Sequence, residues 1–229
     1  MKSRFIVDVS VYPLSSLSMS KDISAEFTPG AIVSHGLRIG MANYFSLLGA
    51  MILWALTIWV PYINVGTTIA MATLPIAMGE GKKISPLEIF DPKYRQFMGE
   101  MFVQWGLKGM GLYMGMIFLF IPAIVLQLSW CLSELLIVDK QMNPAEALAE
   151  SNKRMAGKKW IVFFGMLLTG LIIGAVGLIL VLLVMGLINA AGGVNFFLGL
   201  LSFVAYFGFI VFAMAAGLGT KAYIYDTLK

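Results

Sequence analysis

Residues 142–160, MNPAEALAESNKRMAGKKW, bring nine polar or charged side chains together between two long apolar regions. Asn143 is a favoured N-cap residue, Pro144 suits the first helical position, and Glu146 can return a hydrogen bond to the cap, as in a capping box. Basic residues and a tryptophan end the stretch, which is typical of an amphipathic helix on the inner membrane interface. The side chains predicted to contact lipid headgroups here are Arg154, Lys158 and Lys159.

The composition around this stretch is that of a membrane protein. Of the 229 residues, 59% are hydrophobic and 12% are charged, and the mean hydropathy is +0.88, so polar residues are too few to cover a water-exposed surface. We predict an all-α integral membrane protein with one membrane domain, residues 1–229, and a cytoplasmic N-terminal segment, residues 1–27. No removed signal peptide is expected, since the N-terminus lacks an uninterrupted apolar region. The single cysteine, Cys131, excludes a disulfide within the chain.

The apolar regions are divided further by three short connections without charge, at Pro61, at Pro122 and at residues 189–195. A helix running through either proline would be far longer than a hydrocarbon core of about 30 Å, and proline interrupts helical hydrogen bonding. The chain should therefore fold back at these points. We predict six transmembrane helices in three hairpins: 45–60 with 62–78, 105–121 with 122–138, and 160–188 with 196–218.

The basic residues predict the orientation of these spans. All sixteen Lys and Arg residues fall at the termini, in the two long connections or within a few residues of them. The positive-inside rule then places both termini and both long connections in the cytoplasm, which requires an even number of spans. We expect a multi-pass protein of the bacterial cytoplasmic (inner) membrane, with membrane lipid as a partner.

Two earlier stretches share features with residues 142–160. Thr28-Pro29, Ser85-Pro86 and Asn143-Pro144 follow one another at intervals of 57 and 58 residues, and Glu88 corresponds to Glu146. Arg38, Arg95 and Arg154 follow the caps by ten or eleven residues, so Arg38 and Arg95 are predicted headgroup contacts too. The pattern favours a threefold repeat of interfacial helix and hairpin, over residues 28–84, 85–142 and 143–229. The competing interpretation is that chance alone spaces caps and basic residues in this way.

Glu134 is the one acidic residue well inside an apolar stretch. Counted from the turn at Pro122, Lys108 lies at a similar depth on the neighbouring limb, so the two predict an ion pair or a coupling site within the membrane. Glu134 either couples the movement of a proton or ion, or belongs to a structural ion pair near the inner interface. The structural pair is the favoured interpretation.

No motif of enzyme chemistry is present. The sequence has no HExxH, no GxSxG and no P-loop, so we predict no catalytic residues, no metal site and no cofactor. The sixteen methionines are spread over every segment, which favours apolar packing over thioether metal ligation. His35, the only histidine, is expected to contact headgroups or solvent.

The residues around the third cap also carry a resemblance. Ala147-Leu148, Ser151, Met155, Gly157 and Lys159-Trp160 before a long apolar segment resemble the pattern of uncharacterised bacterial six-span membrane proteins. That family is similar to the membrane domain of some glycerophosphodiester phosphodiesterases, and the resemblance extends best from Pro122 to residues 223–226, YIYD. It implies a six-helix bundle without an established activity. No hydrolysis is expected, since the soluble catalytic domain of those enzymes is missing from this sequence.

Two functions follow from these features. The first is a non-enzymatic scaffold or accessory subunit that contacts anionic lipid and a membrane or cytoplasmic protein, or a second copy of the chain. The alternative is a transporter or channel for a small solute, ion or lipid, with Glu134 as the coupling residue. Pro75 and Gln127 are the weak candidates for the helix interruption or polar group that such a path requires. No nucleic acid partner is expected.

Overall fold

The computed structural model describes residues 27–118 and 120–229, and every regular element in these ranges is helical. Nearly all of the predicted N-terminal segment, residues 1–27, therefore lies outside the described residues. Two short 3₁₀ helices, Pro86–Phe90 and Pro92–Phe97, lead into the second half of the chain. The α-helices are α1 (Pro29–Ala42), α2 (Tyr44–Leu56), α3 (Pro61–Gly79), α4 (Met98–Ile117), α5 (Ile121–Ser129), α6 (Ser133–Lys140), α7 (Pro144–Met155), α8 (Lys159–Ala190) and α9 (Phe196–Thr227).

Three helical segments of the described chain are long and apolar enough to cross a membrane: α5 with α6 (Ile121–Lys140), α8 and α9. The number becomes four if α1 and α2, which are bent by 66° relative to each other, count as one span. Helices α3 and α4 have 19 and 20 residues but are not among these segments. The predicted number of six spans is therefore not reached on length and composition.

Helices α8 and α9 contain 32 residues each. Thr169 faces Thr220 and Gly177 faces Phe209, so the contacts pair the helices in opposite directions. Gly192 and Gly193 adopt positive φ at the connection, and the Asn195 side chain accepts from the N–H of Leu198 to begin α9. Between Gly170 and Ile210 only Val184 is buried, so the part of this pair around the connection is covered by no other described element.

We refer to α8 with α9 as the third pair. The first pair, α2 with α3, and the second pair, α4 with α5 and α6, are built from shorter helices. α2 ends at Leu56 and α3 begins at Pro61, and the pair is joined by hydrogen bonds between Trp54 and Thr68 and between Thr57 and Thr67. α4 ends at Ile117, and α5 begins beside Pro122 after Phe120, whose φ is 61°. Gly115 lies so close to the backbone of Ala123 that it has no room for a side chain.

Helix α1 packs along the C-terminal half of α9 through its small residues. A Cβ at Gly36 or Gly40 would overlap the backbone of α9, and one at Gly219 would overlap that of α1. Gly36 and Gly40 form the GxxxG pattern that permits close helix approach. Gly170 and Gly174 also form a GxxxG pattern, but a Cβ at either position would meet no atom within 4 Å.

The predicted caps differ in outcome. Thr28 accepts from the N–H of Ala31 at 3.2 Å, and Asn143 accepts from the N–H of Glu146 at 2.9 Å, with Pro29 and Pro144 as first helical residues. Ser85 makes no side-chain cap hydrogen bond, and Pro86 begins a 3₁₀ helix.

The predicted cap at Ser85 is therefore wrong. Pro92 has no N–H and holds Asp91 at an extended ψ of 123°, so the first 3₁₀ turn ends there. Glu88 accepts from the Tyr94 hydroxyl at 3.3 Å instead of serving a cap at Ser85. The second predicted repeat unit thus begins with a different local structure from the first and the third.

Candidate functional site

The region around Glu134 begins with a break between α5 and α6, at residues 130–132. Ser151 of α7 enters this break: its hydroxyl donates to the Ser129 carbonyl at 2.7 Å and accepts from the Leu132 N–H at 3.2 Å. Ser151 is fully buried, so its one hydroxyl satisfies two backbone groups that the helix break leaves without partners. The predicted interfacial helix α7 is therefore also a packing element of the second pair.

Glu134 joins three helices. Its Oε1 accepts from Nζ of Lys108 on α4 at 3.3 Å, and its Oε2 accepts from Nζ of Lys221 on α9 at 3.0 Å. The side chains of Glu134 and Lys108 are 13% exposed and that of Lys221 is 24% exposed. The structure thus brings the two sequence-predicted residues together and adds a second lysine.

Lys221 was missed by the sequence analysis because its partner lies 87 residues away in the chain. The sequence signal for Lys221 was its position close to the end of the last apolar stretch. Glu134 likewise lies close to the end of the apolar stretch to which it belongs. Since two ammonium groups face one carboxylate, the cluster carries a formal charge of +1.

A neutral polar pair extends the cluster on the side of α4. Gln104, one helical turn before Lys108, donates from Nε2 to the Ser133 hydroxyl at 2.7 Å and is fully buried. Its Oε1 is the one buried side-chain oxygen or nitrogen without a hydrogen-bond partner within the described ranges. The polar interior of the second pair is therefore concentrated at one level.

Two apolar cavities share Met166 as a wall, and Lys221 of the cluster lines the second of them. The first, about 490 Å³, lies between the second pair and the start of α8, and Leu112, Ala123, Leu128 and Leu167 are among its walls. The second, about 450 Å³, lies between α8 and α9. Its lining residues are Met166, Thr169, Gly170, Ile173, Met214, Gly217, Leu218, Thr220 and Lys221.

Several contacts join the charged segments at the end of the molecule that contains the C-terminus. Lys229 donates to Glu80 at 3.2 Å, the Tyr225 hydroxyl donates to Asp139 at 2.6 Å, and Nη1 of Arg154 donates to the Leu228 carbonyl at 3.5 Å. Nζ of Lys158 lies 5.8 Å from the ring centroid of Phe27. We refer to this region as the charged end.

The predicted headgroup contacts are distributed as follows. Arg38 is exposed and borders a cavity of about 260 Å³ that His35, Lys82 and Lys83 also line. Arg154 bonds Glu150 at 2.8 Å, and Lys159 donates to Asn152 at 3.0 Å.

His35 has an aromatic partner that the sequence does not predict. Its ring stacks on Tyr223 of α9, with centroids 5.1 Å apart and planes within 8°. This contact is compatible with the predicted contact with headgroups or solvent, since His35 also borders the cavity beside Arg38.

Arg95 lies elsewhere. Its guanidinium is 5.8 Å from the Tyr62 ring centroid, and its side-chain stem packs against Gly66 of α3. The prediction grouped Arg95 with Arg38 and Arg154 at the inner headgroups and put the Pro61 turn on the opposite side. Those two expectations are incompatible, because Arg95 is in contact with the residue that follows Pro61.

Comparisons with protein-family models, with curated proteins and with solved structures find no match. The resemblance to the membrane domain of glycerophosphodiester phosphodiesterases therefore stays a prediction.

Proposed function

We propose that this chain is a non-enzymatic protein of the bacterial inner membrane that serves as a scaffold or accessory subunit. The observation that carries the proposal is the use of both Glu134 oxygens by lysines from two other helices. A coupling carboxylate has to exchange its partners during transport. Releasing either lysine here would leave a charge in an apolar interior, which is strongly unfavourable.

The proposed arrangement in the membrane begins with the third pair. α8 and α9 cross it, since each is apolar and about 48 Å long, more than a hydrocarbon core of about 30 Å. The segment Ile121–Lys140 also has the length and composition of a span. If it crosses, α4 must cross as well, because α4 ends at Ile117, only four residues before Ile121.

The first pair, α2 with α3, is proposed to enter and leave the membrane on the charged side, which revises the six-span prediction to four complete crossings. Gln96, next to Arg95, lines one cavity with Gln141 and Met142, close to the charged end. Gly66, against which Arg95 packs, is only about 7.5 Å of helix from Pro61. The number of complete crossings remains even, so both termini stay on the cytoplasmic side.

Two surfaces support contact with lipid and partners. The cavity lined by His35, Arg38, Lys82 and Lys83 offers basic groups at the charged end for phosphate-bearing headgroups. The exposed apolar residues of α8 and α9 face lipid or another membrane protein.

The test is isolation of the protein in native nanodiscs, followed by protein mass spectrometry of wild type, Glu134→Gln and the control Glu150→Gln. A stoichiometric protein partner retained by all three supports a subunit in which Glu134 is structural. Absence of any partner, together with solute uptake into liposomes that Glu134→Gln abolishes, would contradict it and favour the transporter.

A further inference from the structure

We infer that the two cavities sharing Met166 bind one anionic phospholipid, with its acyl chains in the cavities and its phosphate beside the Glu134 cluster. This deepens the proposed function, because it rests on the same membrane placement and names the lipid class that one site takes. Three features favour this ligand: the shape of the cavities, the charge of the Glu134 cluster and the position of its two lysines.

The shape fits a two-chain amphiphile. The cavities are almost entirely apolar and open at the side of the helices, where acyl chains would surround the protein. Met166 separates them, so one chain can occupy the space beside Leu112 and Leu167 and the other the space beside Ile173 and Met214. Methionine is flexible and adapts to irregular apolar contacts of this kind.

The charge fits an anion. Glu134 neutralises only one of its two lysines, and no other described acidic side chain forms an ion pair with Lys108 or Lys221. A surplus positive charge at the edge of an apolar region is unfavourable without a counterion, and a phosphodiester supplies a single negative charge. Phosphate on a lysine ammonium is also a charge-assisted contact, which is stronger than a neutral hydrogen bond.

Both lysines are placed to reach such a phosphate. Lys221 itself lines the second cavity. Lys108 precedes Leu112, a wall of the first cavity, by one helical turn and therefore lies on the same face of α4.

Gly170 provides a variant that fills the site without disturbing the fold. It lines the second cavity, and a Cβ there would meet no atom within 4 Å, so Gly170→Leu should occupy the space of an acyl chain. Gly174, one turn further along α8, is equally open but is not a wall of this cavity, and Gly174→Leu is its matched control.

The experiment uses the full chain in nanodiscs of equal phosphatidylglycerol and phosphatidylcholine, with native mass spectrometry counting the lipids that remain after transfer to detergent. Wild type and Gly174→Leu should retain one phosphatidylglycerol in preference to phosphatidylcholine. Gly170→Leu and Lys221→Gln should lower that retention at least tenfold, and Glu134→Gln, which raises the cluster charge to +2, should preserve or increase it.

Equal retention of the two lipids by wild type would overturn the inference, and so would undiminished retention by Gly170→Leu. If Lys221→Gln does not fold, the comparison of Gly170→Leu with Gly174→Leu decides the matter alone. Failure of the lipid site is distinguishable from failure of the proposed function, because partner retention is read from protein and not from lipid.

Discussion

Glu134 shows how one residue stabilises an arrangement of helices that are distant in sequence. Its carboxylate is the only described negative charge paired with Lys108 and Lys221, and all three side chains are mostly buried. Removing one member of a buried ion cluster is more harmful than removing an exposed pair, since the remaining charges lose their compensation.

We expect Glu134→Gln to lower the free energy of unfolding by on the order of 3 kcal/mol, because both buried lysines lose their counterion. Reversible unfolding of the detergent-solubilised protein would measure the change. Glu150→Gln is the matched control, since Glu150 bonds Arg154 on the outside of α7 and should change stability little. Equal stability of wild type and Glu134→Gln would contradict a structural role.

A second prediction at this scale concerns Ser151. Ser151→Ala removes a hydroxyl that bonds both Ser129 and Leu132, so it should cost about 1–3 kcal/mol by leaving buried backbone groups unsatisfied. Ser34→Ala removes an exposed hydroxyl that donates to Ala31, and its effect should be small. The same unfolding measurement compares the two, and similar losses would show that the helix break does not depend on Ser151.

Sequence reasoning reaches some of these residues and not others, for a physical reason. Lys108 and Glu134 lie on neighbouring helices joined by a short turn, so counting outwards from Pro122 brings them to one level. Lys221 and Ser151 come from other helices, and their positions depend on packing that no local pattern records. The orphan acceptor on Gln104 is likewise visible only after α4 has packed on α6.

At the scale of elements, the contact of α1 with α9 determines where the first part of the chain lies. The sequence correctly predicts a helix from the Thr28 cap onward. It predicts an interfacial helix on the surface of the protein, however, and not a helix packed along α9. The close contact comes instead from Gly36, Gly40 and Gly219, whose missing side chains let two backbones meet. Small residues carry a weaker signal than apolar ones, because glycine also occurs in turns and in exposed helix positions.

We expect Gly40→Leu to separate α1 from α9 and to destabilise the protein strongly, since its side chain would overlap the Ala215 backbone. Thermal unfolding and protease sensitivity of α1 would report the effect. Gly99→Leu introduces the same side chain near the start of α4, where a Cβ meets no atom within 4 Å. A Gly40→Leu protein as stable as Gly99→Leu would refute the close packing of α1 on α9.

At the scale of the whole molecule, the charged end joins the C-terminal residues to Glu80, Asp139 and Arg154. Glu80 is part of this junction, and hydrogen bonds from Lys82 and Lys229 lower its pKa against the opposing effect of burial. A carboxylate whose pKa is lowered by folding adds stability above its unfolded value, about 4.3 for glutamate, and loses it as the pH falls through the folded value. We expect Glu80→Gln to be less stable than wild type at pH 7 and the difference to disappear as the pH falls through the folded pKa of Glu80. Stability curves of both proteins across this range test it, and a constant difference would refute it.

The sequence predicts the membrane arrangement only in part. Hydropathy and proline positions indicate the breaks at Pro61 and Pro122, yet they do not reveal that α2 is bent against α1 or that Arg95 lies beside Tyr62. Both features arise from contacts between separate segments. In the proposed arrangement they change the path of the first pair and leave the side of the termini unchanged.

The most direct test is cysteine accessibility in intact bacterial cells, on a Cys131→Ser background, for Trp59→Cys, Asn152→Cys and Gly192→Cys. With a membrane-impermeant maleimide, we predict labelling of Gly192→Cys from outside, of Asn152→Cys only after permeabilisation, and of Trp59→Cys not from outside. Full labelling of all three in detergent is the control for reactivity. Labelling of Trp59→Cys from outside would contradict a first pair that returns to the charged side, and labelling of Asn152→Cys from outside would contradict the orientation itself.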